Sequence, residues 1–220
     1  MAARYVLADA ARAYAARDGQ EVSVEAVGGV EAARRIEAGE RFDFAVLAAD
    51  AIERLANRGQ LVRGSETGIA RSGVAVAVAA GAVHPDIASE AALRRALLEA
   101  KSIGYSTGPS GSALLALLER WGLANTVAPR LVKAPAGVPV GDLVARGEVA
   151  LGFQQMSELL PVQGIEIVGP LPAAIQVRTT FAAAVCATAA RPDAARAFLA
   201  YARSPETDAI RERHGMEPAR

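Results

Sequence analysis

Short apolar runs with strand character alternate with helical segments along the whole chain. The runs from Gly73 to Ala80 and from Phe181 to Ala187 are continuously apolar, which is typical of strands buried on both faces. Between them lies a self-contained α/β stretch of about the size of a small lobe. The alternation predicts a mostly parallel sheet flanked by helices, and the two apolar runs fit two lobes joined by two crossover strands.

The other segments follow the same alternation of helical and strand periods. Asp50 and Ser89 are predicted to cap the helices that follow them, and Gly19 and Gly39 to end the helices that precede them. Helices are predicted over 5–18, 30–38, 51–57, 90–100, 112–120, 140–146, 192–203 and 205–213, and further strands over 21–27, 44–47, 102–105, 126–133, 149–153 and 165–168.

Composition excludes several classes of function. The formal net charge is zero and Arg and Glu alternate on helices, so nucleic acid is not an expected partner. The single cysteine, Cys186, lies in an apolar run and is expected to be a buried structural thiol. His84 and His214 have no neighbours at metal-ligand spacing, and neither a metal nor another cofactor is expected. No run is long and apolar enough to cross a bilayer, and residues 1–11 lack the features of a signal peptide.

The strongest local feature is the turn Ser106-Thr107-Gly108-Pro109-Ser110-Gly111-Ser112, between a predicted strand and a predicted helix. A helix start offers unpaired N–H groups and a partial positive charge, while hydroxyls add further donors. The turn therefore suits a carboxylate or an oxyanion, and it matches neither a Walker loop nor a dinucleotide fingerprint. An ordinary turn with an N-cap serine would have the same residues, so the local sequence leaves both interpretations open.

Three weaker pairs of residues flank other predicted strands. Gly28-Gly29 repeats the strand–helix turn in a weaker form. Arg71-Ser72 precedes the Gly73 strand, where an arginine is usually a surface residue but would pair bidentately with a carboxylate if it faced a cleft. Gln154-Gln155 follows the strand over 149–153 and either donates to an anion or is solvated. No catalytic motif or Cys/His pairing occurs, so no catalytic residue is assigned.

Five stretches of the chain stand in a characteristic order and spacing, namely 28–39, 42–50, 69–76, 147–153 and 191–199. Together they resemble the type II periplasmic solute-binding proteins, and among these the molybdate-binding components of ABC transporters. The resemblance covers nearly the whole chain.

The resemblance implies two α/β lobes with mixed sheets, the first formed by 1–80 and 178–220 and the second by 81–177. It also implies that ligand binds in a cleft between the lobes and is trapped by hinge closure. The positions that would contact the ligand are Gly28, Gly29, Arg71 and Ser72 in the first lobe, and Ser106, Thr107, Gly108, Ser110, Phe153 and Gln154 in the second.

Two departures from the family pattern change what the resemblance implies. Family members begin with a strand and a ligand-binding loop, and Met1 falls at about that loop, so we expect the first strand to be missing and the start to be truncated. The molybdate site includes a tyrosine near the position of Phe153, and it uses neutral donors rather than a cation such as Arg71. An organic carboxylate therefore suits this chain better than molybdate.

The leading hypothesis is the substrate-binding component of an ABC importer. It would bind a small anion, either a molybdate-like oxyanion or a di- or tricarboxylate, and deliver it in the periplasm to the membrane subunits of the transporter. The first alternative is an isomerase of a small polycarboxylate, because a branch resembling this family acts on aconitate; it needs a general base that the sequence does not identify. The second alternative is the ligand-sensing domain of a transcriptional regulator, which ranks last because no helix-turn-helix region precedes residue 1.

Overall fold

The computed structural model describes residues 2–219 of the chain. Helices and strands alternate along it, with short 3-10 turns at Ala128–Arg130, Ala173–Ile175 and Pro205–Thr207. In chain order the elements are α1 (Arg4–Asp18), α2 (Gly29–Glu37), β1 (Phe44–Ala48), α3 (Ala49–Asn57), β2 (Thr67–Ala79), α4 (Glu90–Glu99), β3 (Ile103–Tyr105), α5 (Pro109–Arg120), α6 (Ala124–Val127), β4 (Leu131–Lys133), α7 (Val140–Ala145), β5 (Leu151–Gln155), α8 (Met156–Leu159), β6 (Ile165–Pro170), β7 (Arg178–Val185), α9 (Pro192–Arg203), α10 (Asp208–Arg213) and β8 (Glu217–Pro218).

Contacts within the chain divide it into two compact units. Unit 1 consists of Met1–Ser72 and Thr179–Arg220, and unit 2 consists of Gly73–Arg178. The chain therefore passes from unit 1 into unit 2 inside β2 and returns inside β7. The lobes expected from the sequence place the first boundary after residue 80, at the end of β2 rather than within it.

Unit 1 is built on antiparallel pairing of β1 with β7, in which Phe44 lies opposite Val185, and of the first half of β2 with β8. Alternate residues of β7 enter two different hydrophobic clusters, as the two-residue period of a strand requires. Phe181 and Val185 pack with α1 and α9, whereas Ala182 and Ala184 pack with α3.

Unit 2 contains a mixed sheet. Strand β3 lies between β4 and β5 and is parallel to both, while the second half of β2 pairs antiparallel with β5 and with β6. Helices α4 and α5 pack on one face of this sheet, around Leu93 and Leu114, and α7 packs on the other face through Val140 and Val144. The mixed sheet and its flanking helices confirm the predicted α/β fold class. The mostly parallel sheet predicted from the alternation is wrong, because among the pairings described above only those of β3 with β4 and β5 are parallel and the others are antiparallel.

Two predicted strands are wrong. Residues 21–27 form no strand, although Val22 and Val24 are half-buried against the core of unit 1, because a strand also needs a hydrogen-bonded neighbour. The strand predicted over 126–133 is reduced to β4. Its first part is helical, with Val127 fully buried in the core of unit 2 and Pro129 in a 3-10 turn, where a missing N–H does no harm.

Two predicted helix starts also differ. Asp50 is not the cap of α3, because α3 begins at Ala49 and the Asp50 carboxylate instead pairs with Arg54 one turn later. Helix α5 begins at Pro109 rather than at Ser112, so half of the Gly/Ser-rich turn is helical. Proline is favoured in a first helical turn because its missing N–H has no partner there in any case.

Candidate functional site

The carboxyl ends of three parallel strands form one edge of the sheet in unit 2. Tyr105 of β3 lies opposite Lys133 of β4 on one side and Phe153 of β5 on the other. A helix follows each of these strands, with α5 after β3, α7 after β4 and α8 after β5. Ligands of open α/β sheets bind at the carboxyl ends of strands, where helix starts collect.

The turn after β3 is held by its own serines. The Gly108 N–H donates to Ser106 Oγ over 3.2 Å, and the hydroxyls of Ser106 and Ser110 lie 3.0 Å apart, within hydrogen-bonding distance. Ser110 is only 1 % exposed, whereas Thr107 is exposed at the tip of the turn. The donors of the turn are thus fixed in position before any ligand arrives.

The start of α5 carries no internal counter-charge. Gly108 is the N-cap residue and supplies no capping side chain, and the first turn of the helix contains no acidic residue. Helix α5 has 12 residues, long enough for its N-terminus to bear a partial positive charge. The partial positive charge of this helix start and the serine hydroxyls beside it together suit a carboxylate or an oxyanion.

Lys133 lies at the same edge of the sheet, at the end of β4, and was not among the site residues predicted from the sequence. The chain contains two lysines, Lys101 and Lys133, among 24 basic residues. Lys133 is exposed, and its ammonium group makes no hydrogen bond or ion pair with any residue of the described part of the chain. The sequence predicted that Lys133 is the last residue of a strand, but it did not predict that Tyr105 lies opposite Lys133.

Phe153 and Gln154 are both buried and take part in packing and hydrogen bonding within unit 2. Phe153 has no exposed surface and packs in the core of unit 2. The Gln154 side chain is 2 % exposed, and its Oε1 accepts from the N–H groups of Val140 at 2.8 Å and Gly141 at 3.3 Å. Gln154 therefore caps the start of α7 instead of being solvated, and the end of β5 offers no accessible amide from this residue.

The predicted ligand contacts of unit 1 lie in two separate elements, the start of α2 and the strand β2. Gly28 is the N-cap of α2 and Gly29 its first residue, but the first turn of α2 contains Glu31, which pairs with Arg34. A carboxylate in the first turn already opposes the partial positive charge of this helix start, which makes it less suited to an anion than the start of α5.

Arg71 and Ser72 end the part of β2 that belongs to unit 1. Arg71 lies opposite Glu217 of β8, and its Nε donates to the carbonyl oxygen of Pro218 over 3.2 Å. Ser72 is buried, at 1 % exposure. The structure thus brings Ser106, Thr107, Gly108 and Ser110 into one turn, whereas the other predicted contacts are spread over separate elements.

The cysteine and the two histidines are buried or hydrogen-bonded within the fold. Burial raises the pKa of the Cys186 thiol to about 11, which confirms a buried structural thiol. His84 bonds Glu166, and His214, directly after α10, bonds Asp9 of α1 at 2.9 Å. Within residues 2–219 no cluster of side chains could hold a metal ion, and no helix is long and apolar enough to span a membrane.

Comparisons with known proteins identify the family to which this architecture belongs. The family model of the bacterial extracellular solute-binding proteins matches residues 1–217. An aconitate isomerase from a Pseudomonas species is 37 % identical over 185 residues, which cover 84 % of this chain and 70 % of that protein.

Solved structures show the same fold. The periplasmic molybdate-binding protein of Azotobacter vinelandii superimposes with a TM-score of 0.79 at 22 % identity, over 97 % of this chain and 94 % of that one. PEB3 with bound L-phospholactate superimposes with a TM-score of 0.76 at 14 % identity, over 98 % and 96 % of the two chains. Both superpositions confirm the fold expected of type II periplasmic solute-binding proteins.

Proposed function

We propose that this chain, which belongs to the family of bacterial extracellular solute-binding proteins, is the substrate-binding component of an ABC importer for a small anion. The membrane subunits of that importer are its partners, and the periplasm is where it acts. Molybdate binding by one structural neighbour and phospholactate binding by another support an anionic solute.

The observation that carries this proposal is the turn at the start of α5. Its serine hydroxyls are held 3.0 Å apart, and no carboxylate opposes the N-terminus of the helix. We assign the anionic group of the ligand to Ser106, Thr107, Gly108 and Ser110, and Ser110 acts there by orienting the Ser106 hydroxyl because it is itself buried. In unit 1 we assign ligand contacts to Gly28, Gly29, Arg71 and Ser72, on the family resemblance alone.

Phe153 and Gln154 differ from the residues of the turn in their proposed role, because they support the site and do not contact the ligand. Their side chains are buried, so we assign them to the support of the edge on which the turn lies. Gln154 does this by fixing the start of α7.

A thermal-shift screen tests the proposal. It compares molybdate, tungstate, sulfate and phosphate with mono-, di- and tricarboxylates. A ligand present at a hundredfold its Kd adds about 2.7 kcal/mol of stability, which raises the melting temperature of a chain of this size by roughly 5–11 °C. If no anion raises it, the proposal is wrong.

Paired variants locate the site once a ligand is found. Removing both hydroxyls, Ser106→Ala with Ser110→Ala, should abolish most of the shift because it deletes the donors of the turn. Ser112→Ala is the matched control, since Ser112 is exposed on the same helix and its hydroxyl makes no hydrogen bond with described residues. Equal shifts in both variants would place the site elsewhere.

A second candidate function is isomerisation of a small polycarboxylate such as aconitate. It is favoured by the 37 % identity to an aconitate isomerase over most of this chain. Incubating the protein with cis-aconitate and measuring trans-aconitate by chromatography separates the two candidates. Turnover supports the isomerase, whereas binding without turnover leaves transport.

A further inference from the structure

We infer that Lys133 makes the edge of unit 2 selective for acids with two or more carboxylates, by pairing with a carboxylate that the α5 turn does not hold. This inference rests on the proposed function, because it concerns the same ligand. It adds a residue and a charge requirement that the turn alone does not supply.

The strand register places Lys133 beside the turn. Tyr105, which directly precedes Ser106, is the residue opposite Lys133, and the Ala134 N–H donates to the carbonyl oxygen of Tyr105 over 2.9 Å. Neighbouring strands lie about 4.8 Å apart. The flexible lysine side chain therefore starts within one strand spacing of the chain that carries the serines.

The side-chain alternation of β4 gives the face on which Lys133 lies. Leu131 packs against the cluster that contains α5, and Val132 packs against the cluster on the opposite face. By the two-residue period of a strand, Lys133 projects on the same side as Leu131. Tyr105 packs on that side as well, so Lys133 and α5 share one face of the sheet.

The local charge leaves Lys133 available for a ligand. No acidic residue occurs over 102–118 or over 121–141, the segments that include the turn, β3, β4 and the loop before α7. Elsewhere on the surface many arginines are paired with carboxylates, for example Arg35 with Glu25 and Arg146 with Glu148. An unpaired ammonium next to a helix start whose first turn has no acidic residue attracts a second negative charge.

The turn is electrically neutral, and its hydroxyls and helix start are sufficient for one anionic group. A monocarboxylate or an oxyanion such as molybdate would use these donors alone. A di- or tricarboxylate would also reach Lys133, which is a point charge on a flexible stem and so tolerates different spacings between carboxylates. The expected preference is therefore for polycarboxylates.

The scarcity of lysine allows a direct test. Lys101 is exposed and precedes β3, at the opposite end of that strand from Tyr105, so it serves as an internal control. The full chain is acetylated with an amine-selective reagent in the presence of tricarballylate, succinate, acetate or molybdate, and modification of each lysine is measured by peptide mass spectrometry. Tricarballylate and succinate should slow acetylation of Lys133 at least fivefold and leave Lys101 unchanged.

Variants test the energetic role. Lys133→Gln should weaken tricarballylate binding about tenfold, equivalent to about 1.4 kcal/mol, leave affinity for acetate unchanged and weaken molybdate binding much less than tricarballylate binding. Lys133→Arg should restore most of the loss because it keeps the charge, and Lys101→Gln should have no effect. Increasing ionic strength should weaken tricarballylate binding to the wild type more than to Lys133→Gln.

The outcomes separate this inference from the proposed function. If the wild type binds a polycarboxylate but Lys133 is not protected and Lys133→Gln binds as tightly, the inference is wrong and the proposed function stands. Equal losses for polycarboxylates and for molybdate would also overturn it, because they indicate a general effect on the site. Binding of no anion by the wild type would overturn both.

Discussion

Substitution of Gly111 by alanine should disrupt the α5 turn. A Cβ added at Gly111 would lie 1.8 Å from the carbonyl oxygen of Ser106 and 2.8 Å from its carbonyl carbon. Because ordinary contact begins near 3.4 Å, the backbone of Ser106 would have to move by about 1.6 Å. Such a movement displaces the hydroxyl that Gly108 and Ser110 contact.

The expected cost follows from two opposing effects. Overpacking against rigid backbone costs about 3 kcal/mol, the upper end of the usual range, and the higher helix propensity of alanine returns about 1 kcal/mol. The net loss of about 2 kcal/mol should lower the melting temperature by roughly 4–8 °C for a chain of this length. Calorimetry measures this loss, and the thermal shift with a bound anion should disappear in parallel.

Gly108→Ala is the matched control for this substitution. Its added Cβ would lie 3.7 Å from Ser106 Oγ, an ordinary contact, and replacing glycine at an N-cap should cost less than about 1 kcal/mol. If Gly111→Ala melts no lower than Gly108→Ala and still binds the anion, the close approach of α5 to Ser106 does not organise the site.

Three further predictions concern hydrogen bonds elsewhere. Gln154→Leu leaves the first two amides of α7 buried without their acceptor, which should cost about 1–3 kcal/mol; a melting temperature unchanged in calorimetry would contradict the assigned cap. Ser89→Ala removes the side-chain cap of α4 and should cost about 1 kcal/mol, measured by urea unfolding against an exposed serine control. The hydrogen bond from His214, aided by Arg12, lowers the pKa of Asp9. The ionised Asp9 carboxylate therefore stabilises the fold at pH values above the pKa that it has in the unfolded chain. This stabilisation is lost as the pH falls through the pKa that it has in the folded chain. Asp9→Asn should therefore flatten the acid limb of the stability profile, and an unchanged limb would refute this.

Elements with local signals were predictable from the sequence. Helix α9 runs from Pro192 to Arg203 as expected, because proline marks its first turn. Helix α1 ends before Gly19, which has a φ of +70° that favours glycine. Ser89 caps α4, with its Oγ accepting from the Ala92 N–H over 3.2 Å.

Features that depend on partners distant in sequence were not predictable. The segment 21–27 alternates like a strand, yet alternation does not supply a neighbour. The role of Gln154 depends on α7 lying beside the end of β5, and the position of Lys133 depends on its register with Tyr105. The turn at 106–112 was located correctly because strand, glycines and helix follow one another along the chain, but its internal serine pairing required the fold.

The division of the chain between the units sets the order in which they become complete during synthesis. Unit 2 is one uninterrupted segment, Gly73–Arg178, so all of its strands have been made once Arg178 has been added. The core of unit 1 joins the two ends of the chain, with Val6 and Leu7 of α1 packed with Phe198 and Leu199 of α9. Helix α1 must therefore wait until α9 has been made before its apolar surface is covered, and until then that surface is exposed to aggregation.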